Sequence, residues 1–175
     1  DIILKYLLRG VMRYDEEECQ NYTIIDLEKT VSYRYPISNN RFVSLEGRAD
    51  RIDMLDDGTL QVIDYKSGNN EHIKFNNIHS LFHGKAQERI DNIFQTLLYS
   101  VILFHGRGKD VVPSLYFALK MINKGYNPNI RYVNGDGQET ILERYSSVAE
   151  EFEGELTAIF EDLFNPEIPF KQADD

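Results

Sequence analysis

Hydrophobic and polar positions change period several times along this chain, and each change marks an element. Ile3, Leu4, Leu7, Leu8, Val11 and Met12 recur at helical spacing, which predicts an amphipathic helix over 1–14. Residues 23–27 read as a strand. Val31, Tyr33, Tyr35 and Ile37 alternate as a second, and Pro36 within that run favours a sheet edge. Residues 41–55 and 59–66 alternate on either side of Asp56-Asp57-Gly58, the pattern of a hairpin. From 67 to about 84 the chain is polar and turn-rich, and a loop of that length is more often functional than structural. Residues 86–105 carry Ile90, Ile93, Phe94, Leu97, Val101 and Phe104 on one stripe, a helix that Gly106 is expected to end. Residues 111–119 are apolar on both parities, which predicts a central strand. After turn chemistry over 126–136, Ile141, Tyr145, Val148, Phe152, Leu156, Ile159 and Leu163 mark a long C-terminal helix. Helix, strands, hairpin, helix, strand, helix is the order of an α/β chain with a mixed sheet flanked by helices.

The hairpin admits two registers. A two-residue turn at Asp57-Gly58 would set Met54 opposite Gln61 and Asp50 opposite Tyr65. A three-residue loop, Asp56 to Gly58, sets Met54 opposite Leu60, Ile52 opposite Val62 and Asp50 opposite Asp64. The second pairs apolar with apolar and places Gly58 where such a loop wants a left-handed residue. It also puts Asp50, Asp64 and Lys66 on one face, because residues two apart on a strand point the same way. Directly opposed Cβ atoms stand roughly 4.5–5.5 Å apart, where like charges destabilise a sheet. Such a pair makes sense around a hard divalent cation, with Lys66 adding a positive charge suited to a phosphate or an attacking water. The same residues would also serve as a solvated surface ion pair.

Three patterns in order carry a resemblance: Gly47-Arg48-Ala49-Asp50, then Asp64-Tyr65-Lys66, then Gln95-Thr96-Leu97-Leu98-Tyr99. Together they resemble the PD-(D/E)xK nuclease superfamily, and most nearly its RecB/AddB-type branch. The resemblance implies a restriction-endonuclease-like core, α-β-β-β-α-β, and a Mg²⁺- or Mn²⁺-dependent, exonucleolytic deoxyribonuclease domain of a DNA repair helicase–nuclease. Asp50 and Asp64 are then the expected metal ligands, helped by the Tyr65 carbonyl, with Lys66 as the third catalytic residue. Gln95 and Tyr99, on a stripe away from the apolar one, are expected to contact DNA or support the site. The alternative is a catalytically silent nuclease-fold module that binds DNA ends or docks a partner subunit. Relatives of the AddB type carry cysteines for an iron–sulfur cluster; here Cys19 stands alone, and no cluster is expected.

At 175 residues the chain is read as a single domain with a real core. It begins inside a helical pattern and ends on a polar segment, so it is expected to be a fragment, with the rest of the helicase–nuclease as partner. No secretory signal is visible and a lone cysteine forms no internal disulfide, so a cytoplasmic setting is expected, with no membrane partner. The net charge of −10 is awkward for a nucleic-acid enzyme. Lys66, Lys74, Lys85, Arg89, Arg107 and Lys109 follow the motif, however, and are candidates for a local basic rim. Lesser signals are His79 and His83, four apart but without an evident third zinc ligand, Glu28 on an early strand, and Asp53 on the face opposite Asp50. Asp15 to Glu18 reads as a solvated acidic turn.

Overall fold

A computed structural model describes residues 2–17, 21–38, 40–68, 72–83, 91–123, 125–133 and 135–169. In chain order the elements are α1 (Ile2–Glu17), β1 (Tyr22–Pro36), β2 (Phe42–Leu55), β3 (Leu60–Lys66), β4 (Lys74–Phe75), α2 (His79–Phe82), α3 (Asp91–Arg107), β5 (Val111–Phe117), β6 (Arg131–Val133), β7 (Glu139–Ile141) and α4 (Ala149–Leu163). The main sheet runs β1-β2-β3-β5, antiparallel except for β5, which lies parallel to β3. Strands β4, β6 and β7 make a second, smaller sheet. A mixed sheet with helices on its faces is the architecture the hydrophobic pattern predicts.

Helix α3 crosses the front of the sheet, and Ile93, Leu97 and Val101 bury against Ile52, Leu60, Val62, Leu115 and Phe117. The alternate residues of β3 and β5, Ile63 and Tyr116, face the rear, where Val11 and Tyr14 of α1 pack with Met121. Close docking of α1 depends on Gly10, because a Cβ there would lie 3.0 Å from the backbone of Met121 and Ile122. Arg13 fixes the same contact by donating to the carbonyls of Met121 (2.9 Å) and Ile122 (3.2 Å). Ile3, Leu4, Leu8 and Met12 remain exposed, so of the stripe that its periodicity suggests only part is covered, and α1 docks through Val11 together with Gly10 and Tyr14.

Several boundaries differ from the sequence reading. The two early strands are one, β1, an edge strand ending at Pro36 as expected, with a register shift between Ile24 and Asp26 and Glu28 at a φ of 49°. Helix α3 runs through Gly106, and Gly108, at a φ of 61°, supplies the left-handed stop. The expected start of that helix, 86–90, lies outside the described residues, as do Cys19, Lys85, Glu88 and Arg89. Strand β5 is at the edge of the main sheet rather than in its centre. Its apolar character on both parities has another cause: it separates two cores, and its free edge is covered where Leu115 N–H donates to Pro128 and Ser114 bridges Asn129. The C-terminal helix begins at Ala149, because Ile141 ends β7 and Tyr145 lies in a 3₁₀ turn.

Gly10→Val is expected to lift α1 from the rear face, since the atoms that its Cβ would meet, in Met121 and Ile122, are backbone and cannot yield. The check is limited proteolysis beside thermal unfolding: faster cleavage within α1 at a lowered midpoint is expected, and unchanged α1 protection would show that the contact is dispensable.

Candidate active site

Gly58, at a φ of 81°, closes a three-residue loop between Leu55 and Thr59, whose backbones pair at 2.9 Å. The ladder follows from it: Met54 opposite Leu60, Ile52 opposite Val62 and Arg51 opposite Ile63. The next step of this register sets Asp50 opposite Asp64, but there β2 leaves β3 and continues with β1 alone. Main-chain pairing is replaced by a side chain, as Tyr65 N–H donates to Asp50 Oδ2 at 2.9 Å. The candidate site sits in this fork. The apolar positions of β2 also change parity here, from Val43, Leu45 and Ala49 to Ile52 and Met54.

Lys66 Nζ lies 2.7 Å from Asp64 Oδ2 and donates to Gln95 Oε1 at 3.0 Å. Gln95 in turn donates from Nε2 to the Tyr99 hydroxyl at 3.0 Å. Asp64 is buried, and its Oδ2 is ion-paired with Lys66. Burial pushes the Asp64 carboxyl above the ordinary carboxylate range; Lys66 pulls it back, and the charge of Asp50 adds to the rise. Thus Asp50, Asp64, Lys66, Gln95 and Tyr99, scattered over 50 positions, form one connected cluster, with the Tyr65 backbone between the acid and the lysine.

Tyr99 is not on an exposed polar stripe. It is 8% exposed and belongs to the core, because α3 is buried on nearly every side. Its ring covers Gly47, where a Cβ would lie 2.5 Å from Cε1. The glycine of the first motif is therefore the floor on which the tyrosine of the third rests, a role its sequence position does not disclose.

Behind the sheet, Arg51 holds a second charged cluster. It donates to Asp53 Oδ1 at 2.8 Å, Asp15 Oδ2 at 2.6 Å and the Tyr65 hydroxyl at 3.2 Å, and its guanidinium lies over the Tyr22 ring. Burial works against the Arg51 charge, but Asp53, Asp15 and Tyr65 together hold its pKa up. Burial raises the Asp53 carboxyl in spite of Arg51. Asp15 is thus a half-buried ion-pair partner near the end of α1, not part of a solvated turn. The cluster anchors the Tyr65 side chain on the face opposite Asp64 and Lys66, and so steadies the segment carrying both. Glu28, exposed and paired with Arg48, belongs to neither cluster.

The expected basic rim does not form from its described members. Lys74 pairs with Glu139 at 2.5 Å, Arg107 with Asp26, and Lys109 binds the Gly58 carbonyl at the far end of β3.

A sequence model of the PD-(D/E)XK nuclease superfamily matches residues 2–175. The chain belongs to that superfamily. Among solved structures, the crystal structure of SSO0001 is similar at 14% identity and a TM-score of 0.34, covering 97% of this chain and 71% of the other, a likeness too slight to argue from. No curated protein matches the chain. Membership in the PD-(D/E)XK superfamily makes the chain a nuclease-type hydrolase that uses divalent metal ions. Among its described residues, no helix is long and apolar enough to cross a membrane.

Two outcomes follow from this geometry. A raised Asp64 pKa means that folding favours its protonated form. Its ionised form therefore costs stability as pH rises above the unfolded value of about 3.9, and fully so above the folded pKa. Asp64→Asn is expected to raise the thermal midpoint in metal-free buffer at pH 7, with the gain vanishing below about pH 4; a loss at pH 7 would mean that the Lys66 pair outweighs burial. Gly47→Ala should displace the Tyr99 ring and cost about 1–3 kcal/mol, the scale of overpacking, measured by urea unfolding. A neutral result would mean that the ring moves freely, and the Gln95–Lys66 bond with it.

Proposed function

We propose that the chain is a Mg²⁺- or Mn²⁺-dependent deoxyribonuclease domain, exonucleolytic, and one module of a RecB/AddB-like helicase–nuclease that works in DNA repair. The observation that carries this reading is the fork between β2 and β3. There a buried carboxylate faces a second carboxylate, with a lysine held beside them by Gln95.

The donor set fits a hard divalent cation. Asp50 and Asp64 are oxygen ligands, and the Tyr65 carbonyl is the third that the resemblance assigns; few carboxylates completed by water and phosphate oxygens is the pattern that Mg²⁺ favours. When bound, such an ion polarises a phosphodiester and lowers the pKa of water at the site. The protein's own residues supply the rest. Asp50 accepts the Tyr65 N–H and so is oriented by the strand that carries Asp64. Lys66, gripped from two sides, presents its ammonium where negative charge grows on the phosphate oxygens, an arrangement that needs no reorganisation during reaction. Gln95 and Tyr99 are positioning residues: they hold the ammonium in that place through the Gly47 contact.

A silent module that binds DNA ends or docks a partner subunit is the second reading. It is favoured by the net charge of −10 and by the ion pairs that occupy Arg48, Lys74, Arg107 and Arg144.

The test is a cleavage assay on linear and circular duplex and on single strands at low salt, with calorimetric Mg²⁺ and Mn²⁺ titration alongside. Lys66→Ala is expected to reduce cleavage roughly 10²–10³-fold, the scale of losing one electrostatic stabiliser, with cation affinity nearly kept. Asp64→Ala should lose both. Cation binding that survives Asp64→Ala would sink the site assignment. Cation binding at the fork with no cleavage of any substrate would select the silent module, and cleavage of circular substrates would contradict the exonuclease reading.

A further inference from the structure

Helix α2 lies between β4 and α3 in the chain and packs on α3 and α4 through Phe82. Its ring meets Phe94 at 5.1 Å and Phe152 at 5.0 Å between centroids. At the surface above these rings, His79 and His83 lie one helical turn apart with their imidazoles stacked at 4.2 Å. Both point to one carboxylate from α4. His79 Nδ1 lies 2.8 Å from Glu155 Oε1, and His83 Nε2 lies 2.9 Å from Glu155 Oε2. A carboxylate only accepts, so both facing ring nitrogens carry the donor proton in the metal-free state. The third ligand missing from the sequence reading is thus supplied from 72 residues beyond His83.

We infer that His79, His83 and Glu155 form a transition-metal site of the zinc class, with water as the fourth ligand, separate from the carboxylate fork. Two imidazoles and a carboxylate match zinc rather than Mg²⁺, which prefers oxygen alone. The three ligand atoms already lie within 4.8 Å of one another. Tetrahedral zinc at its usual bond lengths needs ligand separations of roughly 3.3 Å. The remaining contraction falls on two exposed imidazoles and one carboxylate, which can turn without moving the strands. The ion would take the place of the two shared protons, which neutral imidazoles would then carry on their other ring nitrogens. Glu151, one turn before Glu155 on the same helix, adds negative charge beside the site. Its effect would be to tie α2 to α4.

The experiment uses tag-free, metal-stripped protein and Zn²⁺ alone, with Co²⁺ as a spectroscopic substitute. One Zn²⁺ per chain is expected to bind in the presence of excess Mg²⁺ and to raise the thermal midpoint. Co²⁺ should show the visible absorption of a nitrogen- and oxygen-ligated ion. The His79→Asn/His83→Asn double variant should lose affinity by more than the roughly 10–100-fold that removing an outer partner costs a metal site, and Glu155→Gln should weaken it as well. Asp64→Asn should leave Zn²⁺ binding unchanged, which separates this site from the one proposed for catalysis. Absence of stoichiometric Zn²⁺ would overturn the inference and reduce the trio to a hydrogen-bonded clasp. Binding retained in the double variant, or lost in Asp64→Asn, would overturn it equally.

Discussion

The left-handed turn at Gly58 determines what every side chain of β3 can do. A three-residue loop leaves Ile52, Val62 and Leu60 under α3 and sends Ile63 to the rear core. A slip of one residue would reverse these assignments, placing Ile63 and Tyr65 under α3 and turning Asp64 and Lys66 toward α1. The loop is reinforced locally, since Thr59 N–H donates to Asp57 Oδ1 and Arg144 reaches Asp57 from beyond β7. These bonds lower the Asp57 pKa, Arg144 contributing most, so its charge persists at any pH where the fold is of interest. Register, core and candidate chemistry are therefore one constraint, because the same alternation that buries Val62 presents Asp64.

Two ways of burying an acid meet across the thickness of this sheet. On the rear face, Asp53 is fully buried, and the forked guanidinium of Arg51 meets both of its oxygens, Oδ1 at 2.8 Å and Oδ2 at 2.7 Å, while also taking Asp15 and Tyr65. Arginine suits that place, because its planar donors serve several acceptors at once. On the front face, Asp64 has only a lysine, which meets one of its oxygens at 2.7 Å, with a second carboxylate nearby. A buried group left short of hydrogen bonds costs free energy, and a fold able to build the Arg51 cluster could have built another. That the shortfall falls at the fork, where the β2–β3 ladder has opened, fits a place meant for an additional charge.

Legibility followed sequence distance. The hairpin register rests on neighbours within a few positions, so Asp50, Asp64 and Lys66 could be assembled from alternation and turn chemistry alone. The Gln95-to-Tyr99 spacing located both residues on α3, but periodicity implied an exposed stripe where Tyr99 is buried. A helix crossing a sheet under flanking elements buries more than one face, and nothing in its own period reports this. The same limit hid the partners of Asp15, 36 positions from Arg51, and of His79 and His83, whose carboxylate lies on another helix. Strand β5 failed differently: two separate cores buried both of its parities, a pattern that in a single run of residues equals that of a central strand.

Charge at the fork also bears on how an acidic chain could approach nucleic acid. Two carboxylates against one ammonium leave the front of β3 negative, and Lys74, Arg107 and Lys109 are committed to Glu139, Asp26 and the Gly58 carbonyl. Phosphate would be repelled from such a surface. A divalent ion between Asp50 and Asp64 reverses the local sign, so on the proposed reading it serves binding as well as chemistry. Lys66 then acts beside a positive centre rather than against two negative ones. In that order of events the acidic character of the chain suppresses contact with DNA until the site is loaded. The buried Asp64 is the group that couples the two, because its charge is costly to the fold alone and is relieved by the same ion that admits the substrate.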